Sequence, residues 1–461
     1  MARQLNRVPT MKTSSKNSAI EIFESKTPHS KKMYQYARTI LAGGQSHNAR
    51  FFAPYPFYAE RAKGKYIWDV DKNRYTDYWM GHTALILGHS PKVVVDVLKS
   101  QISNGLLLGS ANKFAVELAE LVSEIVPCAE SARFCTSGAE ATMYAVRLAR
   151  AFTKRKTVVK VAGGWHGYNS ALTVGVSYPF EVPESTGLVE DVDKSVKLCR
   201  FNDVEATTNV LSQNPEQISA IILEPVLGAG GVIPADKEYL KSLREQCDKI
   251  GALLIFDEII TGFRLALGGA QEYYGIKPDI CTLGKILGGG LPASAVAGRK
   301  EIMDLADTTI HRSKQERCWI GGGTFSEHAL SMRAGIATLK HLKSKRSVIY
   351  PYLSRQGELL RTGVDKIFSE RGIVTRTTGA GSLFATHFLK PAQSEIRNPE
   401  DSVMSDNQKM REYYFSLISK HKIFYLPGHI GALSTSHSST DVDYYLKSTA
   451  KVAENFSKNS K

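Results

Sequence analysis

Residues 279–292, DICTLGKILGGGLP, carry the strongest structural signal in this chain. Residues 280–283 form a short apolar run that predicts a buried strand, and Lys285 stands at its end. Glycines 288–290 then indicate a tight turn or a close approach of the backbone to another group. A lysine here faces a desolvation cost unless its charge is paired or lost, and a neutral amine is a nucleophile toward carbonyl groups. The alternative, a lysine that caps a strand end at the surface, is commoner for the isolated motif, so the other motifs must decide.

The composition indicates a globular protein with two or more domains. With 461 residues, of which 43% are hydrophobic, the chain can bury more than one core. It has no run of eighteen apolar residues and no apolar N-terminal block, so we expect no membrane span, no secretory signal and a cytoplasmic location. The six cysteines include no close pair, which argues against a disulfide framework and against a zinc or other metal site.

The charge of the chain is strongly positive. A net charge of +14 permits contact with nucleic acid or acidic membranes, and it equally favours anionic substrates. No basic run interleaved with aromatic residues marks a nucleic-acid surface, so we expect neither a nucleic-acid partner nor a membrane partner. Residues 1–33 hold seven Lys or Arg residues against two Glu residues and predict a basic, mobile tail, in which Pro9 argues against an amphipathic targeting helix.

The order of helical and strand patterns predicts an α/β fold. Residues 34–90 contain most of a helix predicted over 29–41 and a hairpin, and we expect them to pack on a small domain at the mouth of the site. Residues 91–335 alternate helices with strands, which predicts a large domain whose mostly parallel sheet is covered on both faces. Residues 336–461 predict a smaller α+β domain. The strands predicted in the large domain cover residues 131–135, 157–161, 218–223, 252–257 and 279–283.

A candidate anion site begins where the strand predicted over 131–135 ends. Ser137, Gly138 and Ala139 follow that strand and open a predicted helix. The exposed backbone N–H groups and the helix dipole at such a start suit a phosphate group. The alternative is a capping box between Ser137 and Glu140, and the two interpretations are compatible.

Two further strand ends carry aromatic and acidic side chains. Trp165 and His166 follow the strand over 157–161, where an indole could stack on a flat ring, although a tryptophan of the core or rim is the commoner case. Asp257 emerges from a buried apolar run and needs a cationic partner, which a protonated pyridine nitrogen would supply. The alternative is a structural carboxylate that accepts hydrogen bonds from its neighbours.

Two more polar positions accompany these strand ends. Glu224 ends the strand over 218–223 at the ligand side of the sheet, and the glycines 321–323 with Thr324 offer a second anion site. The chain has neither G-x-G-x-x-G after a strand nor G-x-x-x-x-G-K-[ST], so the nicotinamide and P-loop alternatives lack their main parts. An amine, an acid, an aromatic ring and a phosphate cup at converging strand ends suit pyridoxal phosphate, which a lysine binds as a Schiff base.

Six motifs follow one another in a recognisable order. They are SGAEA (137–141), GWHG (164–167), EPV (224–226), LLIFDEIITGFR (253–264), PDICTLGKILGGGLP (278–292) and GGTFS (322–326). This ordered set resembles the class III aminotransferases, and within them most closely the glutamate-1-semialdehyde aminomutase branch. The resemblance is strong over residues 40–340 and weak in the C-terminal part.

The resemblance implies a fold type I enzyme with a mostly parallel seven-stranded sheet, pyridoxal 5'-phosphate as cofactor, and a homodimer with the active site at the subunit interface. By motif position, Lys285 would form the Schiff base and Asp257 would pair with the pyridine nitrogen. Arg50 lies where the aminomutase branch has an arginine for a substrate carboxylate, which a guanidinium group matches bidentately. The other residues expected to bind the cofactor are Ser137, Gly138, Ala139, Trp165 as the stacking ring, His166, Glu224 and, from the neighbouring subunit, Thr324.

Several positions depart from the aminomutase pattern around the substrate. His82 stands where that branch has a tryptophan, Ala229 where it has an asparagine, and Ile320 where a tyrosine is expected. Residues 430–432 read Ile-Gly-Ala instead of Phe-Glu-Ala. Because one change in such a pocket can switch the substrate, we assign His82 to substrate binding and expect an aminotransferase instead of the aminomutase itself.

The expected reaction moves an amino group from a carboxylate-bearing donor to an oxo acceptor. Lys285 would act as general base, while the ring supported by Asp257 stabilises the carbanion. The nearest alternative is glutamate-1-semialdehyde 2,1-aminomutase, which would use the same two half-reactions on one molecule. A non-catalytic relative that interacts through its basic tail is a more distant alternative, against which the intact Lys285 and Asp257 argue.

Overall fold

The structure is a computed structural model and describes residues 18–188 and 192–459. The helices in chain order are α1 (Ala19–Lys26), α2 (Pro28–Ile40), α3 (Lys92–Ile102), α4 (Lys113–Ile125), α5 (Gly138–Thr153), α6 (Val204–Ser212), α7 (Lys237–Ile250), α8 (Gly269–Tyr274), α9 (Lys300–Met303), α10 (Ala329–Ser344), α11 (Arg346–Ser369), α12 (Pro399–Met404), α13 (Asn407–His421) and α14 (Ser439–Asn459). Among these described helices, each is too short or too polar to cross a membrane.

The strands in chain order are β1 (Ala59–Lys63), β2 (Tyr66–Asp69), β3 (Arg74–Asp77), β4 (Ser131–Cys135), β5 (Thr157–Val161), β6 (Val196–Cys199), β7 (Ile218–Leu223), β8 (Val226–Leu227), β9 (Ile233–Pro234), β10 (Leu253–Glu258), β11 (Ile280–Leu283), β12 (Ser294–Gly298), β13 (Thr375–Thr378), β14 (Leu383–Phe388), β15 (Ile423–Phe424) and β16 (Gly431–Ala432).

The described chain divides into two compact units. The first comprises the residues up to Pro91, Leu353–Ile396 and the residues from Glu400 onward, and the second comprises Lys92–Tyr352 with Arg397–Pro399. The boundary therefore lies beyond the one expected between residues 335 and 336. The reason is that α10 packs on α3 and α4, so it belongs to the second unit.

The second unit is built on a seven-stranded sheet in the order β4-β12-β11-β10-β7-β5-β6. All neighbouring strands are parallel except β12, which is antiparallel to both β11 and β4. The predicted α/β fold with a mostly parallel sheet is thus confirmed. The residues of β5, β7, β10 and β11 are all buried, as expected for strands covered on both faces.

The topology brings the polar strand ends to one edge of this sheet. Strands β4, β5, β7, β10 and β11 point the same way, so the residues that follow them meet at their common carboxyl edge. Helix α5 starts at that edge and packs on β11 and β12 through small buried residues such as Ala141, Ala145 and Ala149. Small side chains there let the helix approach the sheet closely.

The first unit contains two smaller sheets, ordered β1-β2-β3-β15 and β13-β14-β16. Its core is rich in aromatic side chains, and the ring of Phe23 on α1 packs on Phe52, Tyr55 and Phe415. Helix α1 starts with a capping box in which Ser18 is the N-cap. The expected mobile tail is therefore wrong for residues 18–33, because an apolar side chain anchors them, while residues 1–17 of that prediction lie outside the described residues.

Candidate active site

Lys285 stands at the carboxyl end of β11 in a strained backbone conformation. Its φ angle is +49°, in the left-handed region that residues with a side chain rarely adopt and that tends to occur at functional sites. The turn it opens ends at Gly289, whose φ is +58°. A Cβ atom at Gly289 would lie 2.6 Å from the carbonyl oxygen of Ala334 on α10, so this helix holds the turn from behind.

The environment of Lys285 makes its ammonium group easier to deprotonate. Desolvation lowers the pKa of its ammonium group, and the carboxylates of Asp257 and Glu224 oppose that shift. Arg264, a fully buried cation, lowers the pKa of Lys285 further. Within the described residues, the Lys285 side chain makes no hydrogen bond to the protein. A lysine whose pKa is lowered in this way loses its proton more readily, and the amine that results is a nucleophile.

Asp257 lies on β10, next to the strand that leads to Lys285. In the parallel register it pairs with Thr282, whose hydroxyl donates to Asp257 Oδ1 over 2.9 Å. The backbone N–H of Ile259 donates to the same oxygen over 3.1 Å, and His166 Nδ1 lies 2.7 Å from Asp257 Oδ2. The buried carboxylate is thus held from three sides in one orientation.

His166 supports this carboxylate, and burial of its ring favours the neutral imidazole. Burial lowers the pKa of His166, and the hydrogen bond to Asp257 opposes the shift. A neutral ring that gives its Nδ1–H to Asp257 leaves Nε2 without a proton. Among the described residues, His166 Nε2 is buried and has no hydrogen-bond partner. The predicted cofactor residue His166 therefore meets Asp257 in the structure.

Glu224 binds the backbone around the predicted stacking ring. Its Oε1 accepts from the N–H of Trp165 over 2.9 Å, and its Oε2 accepts from the N–H of Gly228 over 3.0 Å. Burial raises the pKa of Glu224, Asp257 raises it further, and the two N–H donors and Lys285 oppose the shift. The carboxyl group thus holds the segment that carries Trp165.

The segment with Trp165 also packs on the start of α5. Thr142 Oγ1 on that helix donates to the carbonyl oxygen of His166 over 2.5 Å. Gly167 has a φ of +88°, and a Cβ there would lie 2.5 Å from the Cβ of Ala139. Only glycine allows this approach, which brings the predicted ring-stacking and phosphate-binding residues together.

The capping box occurs at the start of α5, at the position of the predicted phosphate cup. Ser137 is the N-cap, and its Oγ accepts from the N–H of Glu140 over 3.3 Å. The Glu140 carboxylate in turn accepts from the N–H groups of Ser137 and Thr136, over 2.9 and 3.0 Å. The N–H groups of Gly138 and Ala139 belong to the first helical turn, where no intrahelical acceptor exists, so they can bind an anion.

The remaining predicted residues are Thr324 and the pair Arg50 and His82. Thr324 is exposed, in a segment that Tyr144 holds by donating its hydroxyl to Gly321 O over 2.5 Å. Arg50 and His82 belong to the first unit, where Arg50 Nε donates to His82 Nε2 over 3.4 Å. The His82 ring packs on Trp79, with centroids 4.4 Å apart. The structure therefore brings these two predicted substrate residues into contact with each other.

The residues at the sheet edge fit pyridoxal phosphate. A carboxylate fixed by three hydrogen bonds suits a protonated pyridine nitrogen, an amine with a lowered pKa suits an aldehyde, and first-turn N–H groups suit a phosphate. Sequence reasoning missed Thr282, Gly228 and Thr142, which support this set. Thr282 could have been found from the parallel register, because it lies opposite Asp257.

Comparison with known proteins agrees with this chemistry. Residues 48–410 match the family described as Aminotransferase class-III. The chain belongs to the class III aminotransferases. It is therefore a pyridoxal-phosphate-dependent enzyme of the transaminase or aminomutase kind, and the predicted family, cofactor and enzyme class are confirmed.

The similar proteins include both aminomutases and aminotransferases. Glutamate-1-semialdehyde 2,1-aminomutase of Methanopyrus kandleri is 39% identical over 427 residues, which cover 91% of this chain and 96% of that protein. Its counterpart of Methanococcus maripaludis is 37% identical, and the match covers 90% of this chain and 95% of that protein. The solved structure of an ω-transaminase from Sphaerobacter thermophilus matches this chain with a TM-score of 0.85 at 30% identity. The match covers 92% of this chain and 97% of that one. A β-phenylalanine aminotransferase from Variovorax paradoxus has a TM-score of 0.84 at 29% identity, with 95% and 96% covered.

Proposed function

We propose that this aminotransferase moves an amino group between two separate molecules, from a carboxylate-bearing donor to an oxo acceptor, with Lys285 as its catalytic amine. The observation that carries the proposal is the strained Lys285 beside an Asp257 carboxylate that three groups hold in place. A strained backbone persists only where the surrounding structure over-determines it, as α10 does behind this turn.

The side chains at the sheet edge divide the work between them. When bound, pyridoxal phosphate supplies an aldehyde for the donor's amino group and a ring that accepts the electron pair released at the donor carbon. Lys285 Nζ would remove the proton from that carbon and deliver it to the cofactor carbon that keeps the amino nitrogen. Asp257 would keep a proton on the pyridine nitrogen, and Trp165 would stack on the ring. His166 orients Asp257, and the Ser137–Ala139 turn binds the phosphate.

A homodimer is the second part of the proposal. Leu106, Leu107 and Leu108 are exposed, as are the large rings of Trp319 and Phe325. Exposed apolar groups of this size suggest a protein interface. The segment that ends in Asn112 is tied to Glu327 by a hydrogen bond of 3.0 Å, so one partner surface could cover both sets. The partner subunit's Thr324 would then reach the phosphate.

Arg50 and His82 are proposed to bind the substrate carboxylate. Arg50 is exposed and can present its remaining N–H groups to a carboxylate in a bidentate pair. His82, whose ring nitrogen lies 3.4 Å from Arg50 Nε, holds the guanidinium in one direction. Residues 80–83 all have positive φ angles, so a strained turn presents His82.

Glutamate-1-semialdehyde 2,1-aminomutase activity is the second candidate, and the 37–39% identity to such enzymes favours it. The exchanges at His82, Ala229 and Ile320 favour intermolecular transfer instead, because they change the substrate side and leave the cofactor side intact. An aminomutase needs no separate acceptor, whereas an aminotransferase releases its first product before the acceptor binds. A non-catalytic role has no support in the geometry of Lys285 and Asp257.

The test is a visible absorbance spectrum of the purified protein with pyridoxal phosphate. We would add glutamate, alanine, β-amino acids and 4,5-diaminovalerate one at a time, and assay released oxo product. Loss of the cofactor band with one donor, and its return with an oxo acid, is the expected result. Turnover of glutamate-1-semialdehyde alone, without acceptor, would establish the second candidate. The Lys285→Ala variant is the control and should show both exchanges slowed by about 10² to 10⁴.

A further inference from the structure

Lys160 is a buried lysine in the second unit, and the reaction described above does not use it. It lies on β5, where its residue is fully buried. Its Nζ donates to the carbonyl oxygens of Gly164 over 3.0 Å, Leu172 over 2.9 Å and Val174 over 2.7 Å. An ammonium group has three N–H donors, and all three are used here. A fully buried lysine is rare and requires such compensation.

The three acceptors belong to one loop, residues 162–175, which we call the indole loop because it carries Trp165. Its ends meet, since the N–H of Gly163 donates to Gly175 O over 2.8 Å. Gly164 lies on the outgoing leg of the loop, and Leu172 and Val174 lie on the returning leg. Lys160 therefore donates hydrogen bonds to both legs, and the indole loop folds around its amino group.

One peptide group connects Lys160 to the cofactor side of the loop. The carbonyl of Gly164 and the N–H of Trp165 belong to the same peptide unit. Its oxygen accepts from Lys160, and its N–H donates to Glu224 Oε1 over 2.9 Å. The peptide thus lies between a buried cation and a buried carboxylate, and hydrogen bonds to charged groups are the strong ones. The next residue, His166, places Nδ1 2.7 Å from Asp257.

Burial disfavours the charged form of both side chains that anchor this peptide, and it raises the pKa of Glu224 to about 8. Burial lowers the pKa of Lys160 to about 7, and the Glu224 carboxylate is the largest influence that opposes the shift. Glu224 in turn accepts two backbone hydrogen bonds that favour its charged form. Without the amino group, three carbonyl oxygens would lose these donors, and the peptide would lose one of its two anchors.

We propose that Lys160 is a positioning residue of the cofactor site, which acts through the Gly164–Trp165 peptide to orient both the Trp165 ring and the His166–Asp257 pair. It touches neither substrate nor cofactor. The inference rests on the proposed placement of the cofactor ring against Trp165 and Asp257. It predicts that removing the Lys160 amino group weakens cofactor binding and lowers the visible circular dichroism of the bound cofactor, in addition to any change in folding stability.

The experiment compares Lys160→Met, which keeps the length of the side chain but has no donor, with Lys160→Arg, which keeps charge and donors. The matched control is Lys197→Met on the adjacent strand β6, where the lysine donates over 2.7 Å to Gln213 O, outside the indole loop. For each protein we would measure the dissociation constant of pyridoxal phosphate from the apoprotein, the visible circular dichroism of the bound cofactor, and thermal stability.

Lys160→Met should bind the cofactor about tenfold to a hundredfold more weakly and lose most of the visible dichroism, because several hydrogen bonds to a charged group are removed. Lys160→Arg should recover part of both signals, and Lys197→Met should match the wild type. If Lys160→Met does not fold, Lys160→Gln, which keeps two donors, takes its place. A second readout is the double variant of Lys160→Met and Glu224→Gln. Because both side chains bind the Gly164–Trp165 peptide, the two changes in cofactor affinity should not be additive.

Wild-type affinity and dichroism in Lys160→Met or Lys160→Gln, with only stability reduced, would overturn the proposal, as would additive effects with Glu224→Gln. A wild-type protein that binds no pyridoxal phosphate would instead contradict the proposed cofactor site itself. The two failures are therefore distinguishable.

Discussion

The turn after Lys285 requires glycine at position 289 because α10 lies directly behind it, and this can be measured against a matched control. Gly289 and Gly275 both end a helical turn, with φ of +58° and +70°. A Cβ at Gly289 would lie 2.6 Å from the carbonyl oxygen of Ala334 and 2.6 Å from Thr338 Oγ1. A Cβ at Gly275 would meet no described atom within 4 Å.

Both substitutions to alanine carry the cost of a left-handed residue with a side chain, about 1–2 kcal/mol. Gly289→Ala adds the overlap with a backbone oxygen that cannot rotate away, for about 1–3 kcal/mol more. With a denaturant slope of about 2–3 kcal/mol per molar urea, an extra 2 kcal/mol lowers the unfolding midpoint by roughly 0.7–1 M. Gly289→Ala should also bind pyridoxal phosphate more weakly, since the displaced turn carries Lys285.

The assay is equilibrium unfolding in urea of the wild type, Gly275→Ala and Gly289→Ala, followed by cofactor titration of each. We expect Gly289→Ala to unfold at clearly lower urea than Gly275→Ala, and only Gly289→Ala to lose affinity for the cofactor. Equal midpoints for the two variants would refute the reasoning, because the contact with α10 would then contribute nothing beyond the backbone conformation.

Three further predictions test the site. Lys285→Ala should lower the rate of amino transfer by about 10² to 10⁴, the usual contribution of a general base, which single-turnover kinetics would show; a smaller loss would place the proton transfer elsewhere. Arg50→Ala should raise KM for a carboxylate donor about tenfold to a hundredfold with little change in kcat, whereas an equal loss for an amine without a carboxylate would contradict its role. Burial raises the pKa of the Glu258 carboxyl group from 4.5 to about 7, so the folded protein prefers its protonated form. The stability that this preference contributes is complete below pH 4.5 and is lost as the pH rises through about 7. Thermal unfolding between pH 5 and pH 9 should therefore show the wild type losing stability relative to Glu258→Gln. Parallel plots of melting temperature against pH for the two proteins would contradict the raised pKa of Glu258.

Much of the second unit could be predicted from local patterns. The strands β4, β5, β7, β10 and β11 were predicted to within one residue, because each is a short run with a strand pattern that ends in a polar or glycine-rich turn. Strands β6 and β12 were not predicted. The sequence of β12, SAVAG, consists of small residues that carry no strand signal, and its place between β11 and β4 supplies the pairing instead.

The candidate site shows the same division. Asp257 and Lys285 could be found because each breaks an apolar run with a charged group, which local chemistry makes improbable unless the charge is used. Lys160 also interrupts an apolar run, yet sequence reasoning passed over it. Its acceptors lie 4, 12 and 14 residues along the chain, in a loop without periodicity.

The sequence by itself determined the fold class, the order of the polar strand ends and the residues able to carry the chemistry of pyridoxal phosphate, because these depend on neighbours along the chain. Tertiary structure alone decided which polar groups meet. The hydrogen bonds of Thr282 to Asp257, of Glu224 to Trp165 and of Lys160 to the indole loop join residues whose distance in space depends on strand order and loop path. Burial then makes those few bonds decisive, since an unpaired charge inside the protein has no water to replace its partner.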